Sequence, residues 1–136
     1  MNPETQSKLA PCFKQASDLW HDGEPQAALE IFHRLAAEHP QQPAITGMIG
    51  SIYFSEKDYE QARVYFHETV CMSPKSELAS RGLFHSLWQI GERDAAFAEM
   101  KRFVSISESA EYDRLICEMN EYLAEHGSAK HERPRS

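Results

Sequence analysis

The sequence has few cysteines and no long apolar segment. Its three cysteines, Cys12, Cys71 and Cys117, are widely spaced, as expected for reduced thiols in the cytoplasm rather than for a disulfide framework. The first six residues carry no apolar run and no basic lead, so we expect no secretory signal. No window approaches the roughly 20 apolar residues that a membrane span requires. These absences predict a cytoplasmic protein.

Cationic residues are also scarce. Lysine and arginine number 14 against 21 aspartates and glutamates, and the formal net charge is -7. The acidic residues are spread along the chain, whereas basic residues gather only near the C-terminus, as Lys130, Arg133 and Arg135. Such a surface repels nucleic-acid phosphates and anionic lipids. We therefore expect neither nucleic acid nor membrane as a partner, and a partner protein with a basic face is mildly favoured.

Catalytic and metal-binding patterns are missing from the sequence. It contains no nucleophile motif, no glycine-rich phosphate loop and no HExxH. His67 and Cys71 are four positions apart and could place two ligands on one helix face, but no third ligand is evident. His33 and His67 are expected to be exposed. The sequence therefore predicts no enzyme activity, no catalytic residues, no metal site and no cofactor.

A period of 34 residues runs through most of the chain. The repeated positions hold a small residue (Ala28, Ala62, Ala96), a large apolar residue four positions later (Phe32, Phe66, Met100) and an aromatic residue eight positions earlier (Trp20, Phe54, Trp88). A small residue lets two helices approach closely, and a large one four positions on lies on the same helix face. Pro40 and Pro74 close the first two units, because proline cannot continue a helix. The pattern predicts tandem antiparallel helix pairs.

The repeated unit resembles the tetratricopeptide repeat, which reads W-x2-L-G-x2-Y, then A-x3-F, then P. The second unit matches best, with Thr46 in place of the tryptophan and with Ile49-Gly50, Tyr53, Ala62, Phe66 and Pro74 at the expected positions. The first unit departs in its first half, and the third departs at Phe84, Met100 and Glu108. The resemblance implies an all-α, right-handed superhelix of three helix-turn-helix repeats plus one capping helix.

An amphipathic segment follows the last repeat. Its apolar residues recur at helical spacing, as Tyr112, Leu115, Ile116, Met119, Tyr122 and Leu123. We interpret this helix as a cap on the last repeat, with dimerisation through the same face as the alternative, so we expect a monomer or a weak homodimer. The predicted segments are a lead-in (1–8), three repeats (9–42, 43–76, 77–110), the capping helix (111–127) and a disordered tail (128–136).

The resemblance also implies where a ligand binds. In this family ligands usually lie on the concave surface lined by the first helix of each repeat. The matching positions are Phe13, Ser17 and Trp20, then Gly47, Ser51 and Phe54, then Arg81, His85 and Trp88. Trp20, Phe54 and Trp88 are predicted to form an aromatic row for an apolar peptide or helix, with packing between helices as their alternative role. Arg81 and His85 would supply polar contacts.

The residues present argue against one family subtype. Members that grip the acidic C-terminal tails of heat-shock chaperones use a clamp of Lys, Asn and Arg, whereas the matching positions here are Phe13, Ser17, Met48, Leu78 and Gly82. We therefore expect a protein-interaction module that acts as an adaptor or scaffold. The alternatives are a dedicated chaperone of a secreted protein, similar to the class II chaperones of type III secretion, or an immunity protein that neutralises a toxin.

Overall fold

The computed structural model describes residues 3–127, and over this range the chain forms helices joined by short turns. Within residues 3–127 there are seven α-helices: α1 (Pro3–His21), α2 (Pro25–Glu38), α3 (Pro43–Ser55), α4 (Tyr59–Met72), α5 (Glu77–Gln89), α6 (Arg93–Ile106) and α7 (Ala110–Tyr122). The first helix therefore begins inside the segment predicted as a lead-in. The predicted disordered tail, residues 128–136, lies outside the described residues.

The turn inside each helix pair repeats the same backbone conformation. Gly23, Lys57 and Gly91 have φ angles of 83°, 65° and 87°, in the left-handed region that glycine enters most readily and that ends many helices. After Lys57, the Asp58 carboxylate caps α4 by accepting a 3.3 Å hydrogen bond from the backbone N–H of Gln61. The 34-residue period of the sequence thus reappears as a period in backbone geometry.

The repeated small and large apolar residues form the core. Ala28, Ala62 and Ala96 are fully buried at the helix crossings. Their larger partners four positions later, Phe32, Phe66 and Met100, are buried with them. From α1 to α6 each helix packs on the next, and α3 also contacts α5 directly, so the first helices of these two repeats lie side by side. The predicted all-α helical-repeat solenoid is confirmed. Within residues 3–127, no helix combines the length and apolar character needed to cross a bilayer.

The last helix is attached through Tyr112. This side chain is fully buried, with its ring centroid 6.0 Å from that of Phe84 and 5.7 Å from that of Phe103. Its hydroxyl lies 2.8 Å from the hydroxyl of Ser80, which satisfies both polar groups inside the core. The N-terminal half of α7 therefore covers the apolar end of the third repeat.

The outer half of the same helix is different. Tyr122 and Leu123, which were predicted on its apolar face, keep 55% and 52% of their surface exposed. The α-helix ends at Tyr122, and Leu123–Gly127 forms a π-helical turn. Helix α7 therefore ends earlier than residue 127, the end predicted from the sequence. The apolar face of α7 is consequently only partly covered.

Alkaline pH is expected to loosen the attachment of α7. Burial, more than any neighbouring charge, raises the pKa of Tyr112 to about 12, from about 10 in an unfolded chain. The neutral phenol therefore contributes stability that is intact below pH 10 and is lost as the pH rises toward 12. Urea unfolding over this range should show a steeper loss for the wild type than for Tyr112→Phe. Equal pH dependence of the two proteins would contradict this assignment.

Candidate functional site

Two neighbouring pockets lie on the face formed by the first helices of the repeats. The Phe13 pocket, of about 290 Å³, is lined by Phe13, Pro43, Ala44, Gly47, Met48, Thr69, Ser76, Leu78 and Ala79. The Phe54 pocket, of about 200 Å³, is lined by Ser51, Phe54, Phe66, Leu78, Arg81, Gly82 and His85. Both linings are mainly apolar, and helices α3 and α5 contribute to each.

Leu78 lines both pockets. It lies in the first turn of α5, and 60% of its surface is exposed although it is a large apolar residue. Exposed apolar surface beside a concave pocket is typical of a binding site. Leu78 is therefore the side chain best placed to contact a ligand that occupies both pockets.

Glycines shape the floor of the two pockets. A Cβ added to Gly82 would lie 2.5 Å from Cζ of Phe66, whereas a Cβ added to Gly47 would lie 3.7 Å from Cγ2 of Thr69, an ordinary contact. The absence of a side chain at Gly82 therefore lets the Phe66 ring reach the floor of the Phe54 pocket. At Gly47 it leaves open space in the Phe13 pocket.

The two glycines give a matched pair of mutations. Gly82→Ala gains helix propensity worth about 1 kcal/mol, but the collision with the buried Phe66 ring costs about 1–3 kcal/mol, so we expect a net loss of stability. Gly47→Ala meets no such collision and should raise the free energy of unfolding by up to about 1 kcal/mol. Chemical denaturation measures both values. Equal effects of the two substitutions would contradict the described position of Phe66.

The polar edge of the Phe54 pocket is formed by α5. Arg81 Nε lies 3.4 Å from an oxygen of Glu77, and its side chain is one-third exposed. His85 is exposed at one edge, but its ring packs against Phe84 with centroids 5.2 Å apart. Burial of the ring, and secondarily the charge of Arg81, lowers the pKa of His85 below its usual value. The pocket edge therefore presents one cation and, at neutral pH, a neutral imidazole.

The structure brings six of the nine predicted site residues to these pockets. Ser51, Phe54, Arg81 and His85 line the Phe54 pocket, and Phe13 and Gly47 line the Phe13 pocket. Ser17, Trp20 and Trp88 line neither of the two.

The two tryptophans, Trp20 and Trp88, lie near the C-terminal ends of α1 and α5. Trp88 stacks on Phe84 and packs edge-on against Phe97, with the Arg93 guanidinium carbon 4.5 Å from its ring centroid. Trp20 stacks on His21 at a centroid distance of 6.0 Å. The contacts of Trp88 are those expected if it packs between helices, which was the alternative to ligand binding. A continuous row of Trp20, Phe54 and Trp88 stays a prediction.

Sequence reasoning did not assign Leu78, Met48 and Gly82 to an apolar site. The family resemblance identifies these positions only as places where a carboxylate clamp would lie. Their register already placed them on the groove face, so the signal for an apolar lining was present in their identities: leucine, methionine and glycine in place of charged and amide residues.

Metal chemistry finds little support among the described side chains. They include no group of three or more histidine, cysteine, aspartate and glutamate residues that could hold a metal ion. The Nδ1 atom of His67 and the sulfur of Cys71 lie 3.9 Å apart on an exposed face. The linings of the two pockets are mainly apolar with a polar edge, an arrangement suited to binding.

Comparisons with known proteins agree with this architecture. A sequence model of the tetratricopeptide repeat matches residues 19–66, and no curated protein sequence matches the chain. The Yersinia enterocolitica type III secretion chaperone SycD, solved with a peptide of the translocator YopD, is similar with a TM-score of 0.75 at 17% identity, over 95% of this chain and 99% of SycD.

Two further structures share the fold. The first tetratricopeptide domain of Spaghetti (RPAP3), solved with an HSP90 peptide, has a TM-score of 0.73 at 14% identity, over 87% of this chain and 97% of its own. MamA from Desulfovibrio magneticus RS-1 has a TM-score of 0.65 at 19% identity, over 71% of this chain and 54% of its own. The sequence match shows a tetratricopeptide repeat over residues 19–66, and the structural similarity shows that the chain has the helical-repeat fold of these proteins.

Proposed function

We propose that this chain binds a segment of a partner protein along the face formed by α1, α3 and α5. The observation that carries the proposal is the pair of apolar pockets that share the exposed side chain of Leu78. Burial of such surface is favourable at about 25 cal/mol per Å², and apolar anchors in pockets dominate the energetics of many interfaces.

The arrangement of the pockets defines the ligand. Two apolar side chains of the partner would enter the pockets on either side of Leu78. Residues two apart in an extended peptide, or three or four apart in a helix, provide neighbouring anchors of this kind. At the edge of the Phe54 pocket, Arg81 and His85 would contact carbonyl or carboxylate oxygens of the partner backbone or side chains.

Two structural neighbours support peptide binding as the function. SycD was solved with a YopD peptide, and the Spaghetti domain with an HSP90 peptide. The present chain lacks the polar clamp for an acidic terminal tail, since Met48, Leu78 and Gly82 occupy clamp positions. The proposal for this chain is therefore an internal, apolar segment rather than a terminal carboxylate.

The biological role that we propose is that of a cytoplasmic adaptor or scaffold. A second candidate is a dedicated chaperone of a secreted protein, which is favoured because the similarity to SycD extends over 95% of this chain and 99% of SycD. An adaptor should bind several partners through the groove, whereas a dedicated chaperone should bind a single partner.

Site-specific cross-linking tests the proposal. The photoreactive residue p-benzoylphenylalanine is placed at position 85, on the pocket edge, and in a matched variant at position 106, where Ile106 is exposed on α6. We expect cross-links to a partner protein from position 85 and none to that protein from position 106. Mass spectrometry of the product identifies the bound segment and the number of partners. Cross-links from position 106 alone would contradict the proposal.

A further inference from the structure

A second groove lies between the second helices of the last two repeats. It has a volume of about 620 Å³, and its floor includes Leu83 and Leu87 of α5. Val64 of α4 and the small residues Ala95 and Ala98 of α6 form parts of its walls. At 3.6 residues per turn, Leu83 and Leu87 point away from the side of α5 that carries Leu78. This α4–α6 groove is therefore separate from the proposed partner site.

The preceding pair of repeats has aromatic side chains at the corresponding place. Tyr53 of α3 stacks on Tyr65 of α4, with centroids 5.7 Å apart and an angle of 22° between the planes. His33 of α2 lies 3.2 Å from the Tyr53 hydroxyl through Nε2, and its ring is 5.6 Å from that of Tyr65. His33 is partly buried by these contacts, in contrast to the exposed position expected from the sequence.

The same three positions are occupied differently one repeat later. The residues 34 positions on are His67, Leu87 and Glu99, and all three line the α4–α6 groove. Leu87 is shorter than tyrosine, and the Glu99 carboxylate is bound to Arg102 by hydrogen bonds of 2.9 and 2.7 Å. The α4–α6 groove thus lacks the two phenol rings that pack in the preceding repeat pair.

Carboxylates outnumber guanidinium groups in the lining of the α4–α6 groove by three to two. Arg102 is paired with Glu99, and Arg63 is paired with Glu60 at 3.1 Å. Glu68 and Glu92 also line the groove, and within the described part of the chain neither forms an ion pair. Complementary charge steers and orients a binding partner, so these two carboxylates favour a cationic one.

We propose that the α4–α6 groove is a second binding surface, which takes an aromatic side chain of a partner protein flanked by lysine or arginine. The aromatic ring occupies the space that Tyr53 and Tyr65 fill in the preceding repeat. The flanking cations approach Glu68 and Glu92, and the small side chains of α6 let the partner backbone come close. The partner of this surface is thus basic, in contrast to the apolar segment proposed for the Leu78 face.

Three blocked tripeptides, acetylated and amidated at their ends, serve as probes: Lys-Tyr-Lys, Glu-Tyr-Glu and Lys-Ala-Lys. Amide chemical shifts of the isotope-labelled protein are followed during titration of each. We expect Lys-Tyr-Lys to shift signals of α4 and α6 and to bind about fivefold or more tightly than either other peptide, as expected for loss of a ring contact or of charge complementarity. Equal affinities, or no shifts in α4 and α6, would overturn the proposal.

Variants locate the probe. Ala98→Trp places a large side chain in the groove from an exposed position of α6 and should abolish binding of Lys-Tyr-Lys. The double variant Glu68→Gln, Glu92→Gln should remove most of its advantage over Glu-Tyr-Glu. Leu78→Lys, on the other face, should leave the titration unchanged. Retention of binding by a folded Ala98→Trp protein, or its loss in Leu78→Lys alone, would refute the location.

Discussion

Leu78→Lys is expected to weaken binding of the partner segment at least about 30-fold, which corresponds to roughly 2 kcal/mol or more for loss of a central anchor. The substitution places a charge on the wall shared by both pockets, and this charge would have to be desolvated under a bound apolar ligand. Because Leu78 is 60% exposed, the fold itself should lose little stability. Calorimetric titration with the segment identified by cross-linking measures the effect.

Val104→Lys provides the matched control. Val104 is an apolar residue of α6 that is 38% exposed, and it is not among the residues that line the Phe13 or Phe54 pockets. This variant has the same change of charge and should bind the segment with wild-type affinity. Similar losses in both variants would mean that net charge, and not the shared pocket wall, controls binding.

Tyr112→Ala is expected to reduce the free energy of unfolding by about 3–5 kcal/mol, the usual range for removing a large buried aromatic side chain. The loss combines the packing against Phe84 and Phe103 with the hydroxyl contact to Ser80, whose own hydroxyl is fully buried and would lack this partner. Since Tyr112 is the only residue of α7 that is buried, its removal should detach the helix. Chemical denaturation gives the energy, and limited proteolysis of the native protein reports the detachment.

Leu123→Ala tests the other end of the attachment. Leu123 is 52% exposed, so its truncation should change stability by less than about 0.5 kcal/mol. Comparable losses for Leu123→Ala and Tyr112→Ala would mean that the outer half of α7 is covered in solution, as it would be in a dimer. Sedimentation of the wild-type protein would then show the association.

The helical repeat could be predicted because its determinants are local and periodic. Ala28, Ala62 and Ala96 are small at helix crossings, and Asp58 caps its helix through a residue three positions later. Such signals need only the spacing along one helix or one turn. They specified the order of the helices and the face of each that is buried.

The pockets were less predictable because they depend on side chains from several helices. Gly82 matters through its distance to Phe66 on another helix, and Trp88 is held by Phe97 and Arg93 across a turn. A register carried over from the family gives the face on which a residue lies. The register does not give the space that neighbouring side chains leave open. Leu78 belongs to the site because such space is open on both sides of it.

The second groove shows the same limit. The change from Tyr53 to Leu87 between equivalent positions can be read from the sequence, as can the change from Tyr65 to Glu99. Neither change shows by itself whether other side chains fill the space that the two tyrosine rings would occupy. The structure shows an open groove beside Leu87 and Glu99, and stacked rings at Tyr53 and Tyr65.

Hydrogen–deuterium exchange of the protein, free and with its cross-linked partner segment added, tests the location of the partner site most directly. A segment bound in the Phe13 and Phe54 pockets should slow exchange in α3 and α5, where most of the lining residues lie. The Leu78→Lys protein should show no such protection at the same concentration. Protection confined to α4 and α6, or to α7, would contradict the account and place the partner on another face of the solenoid.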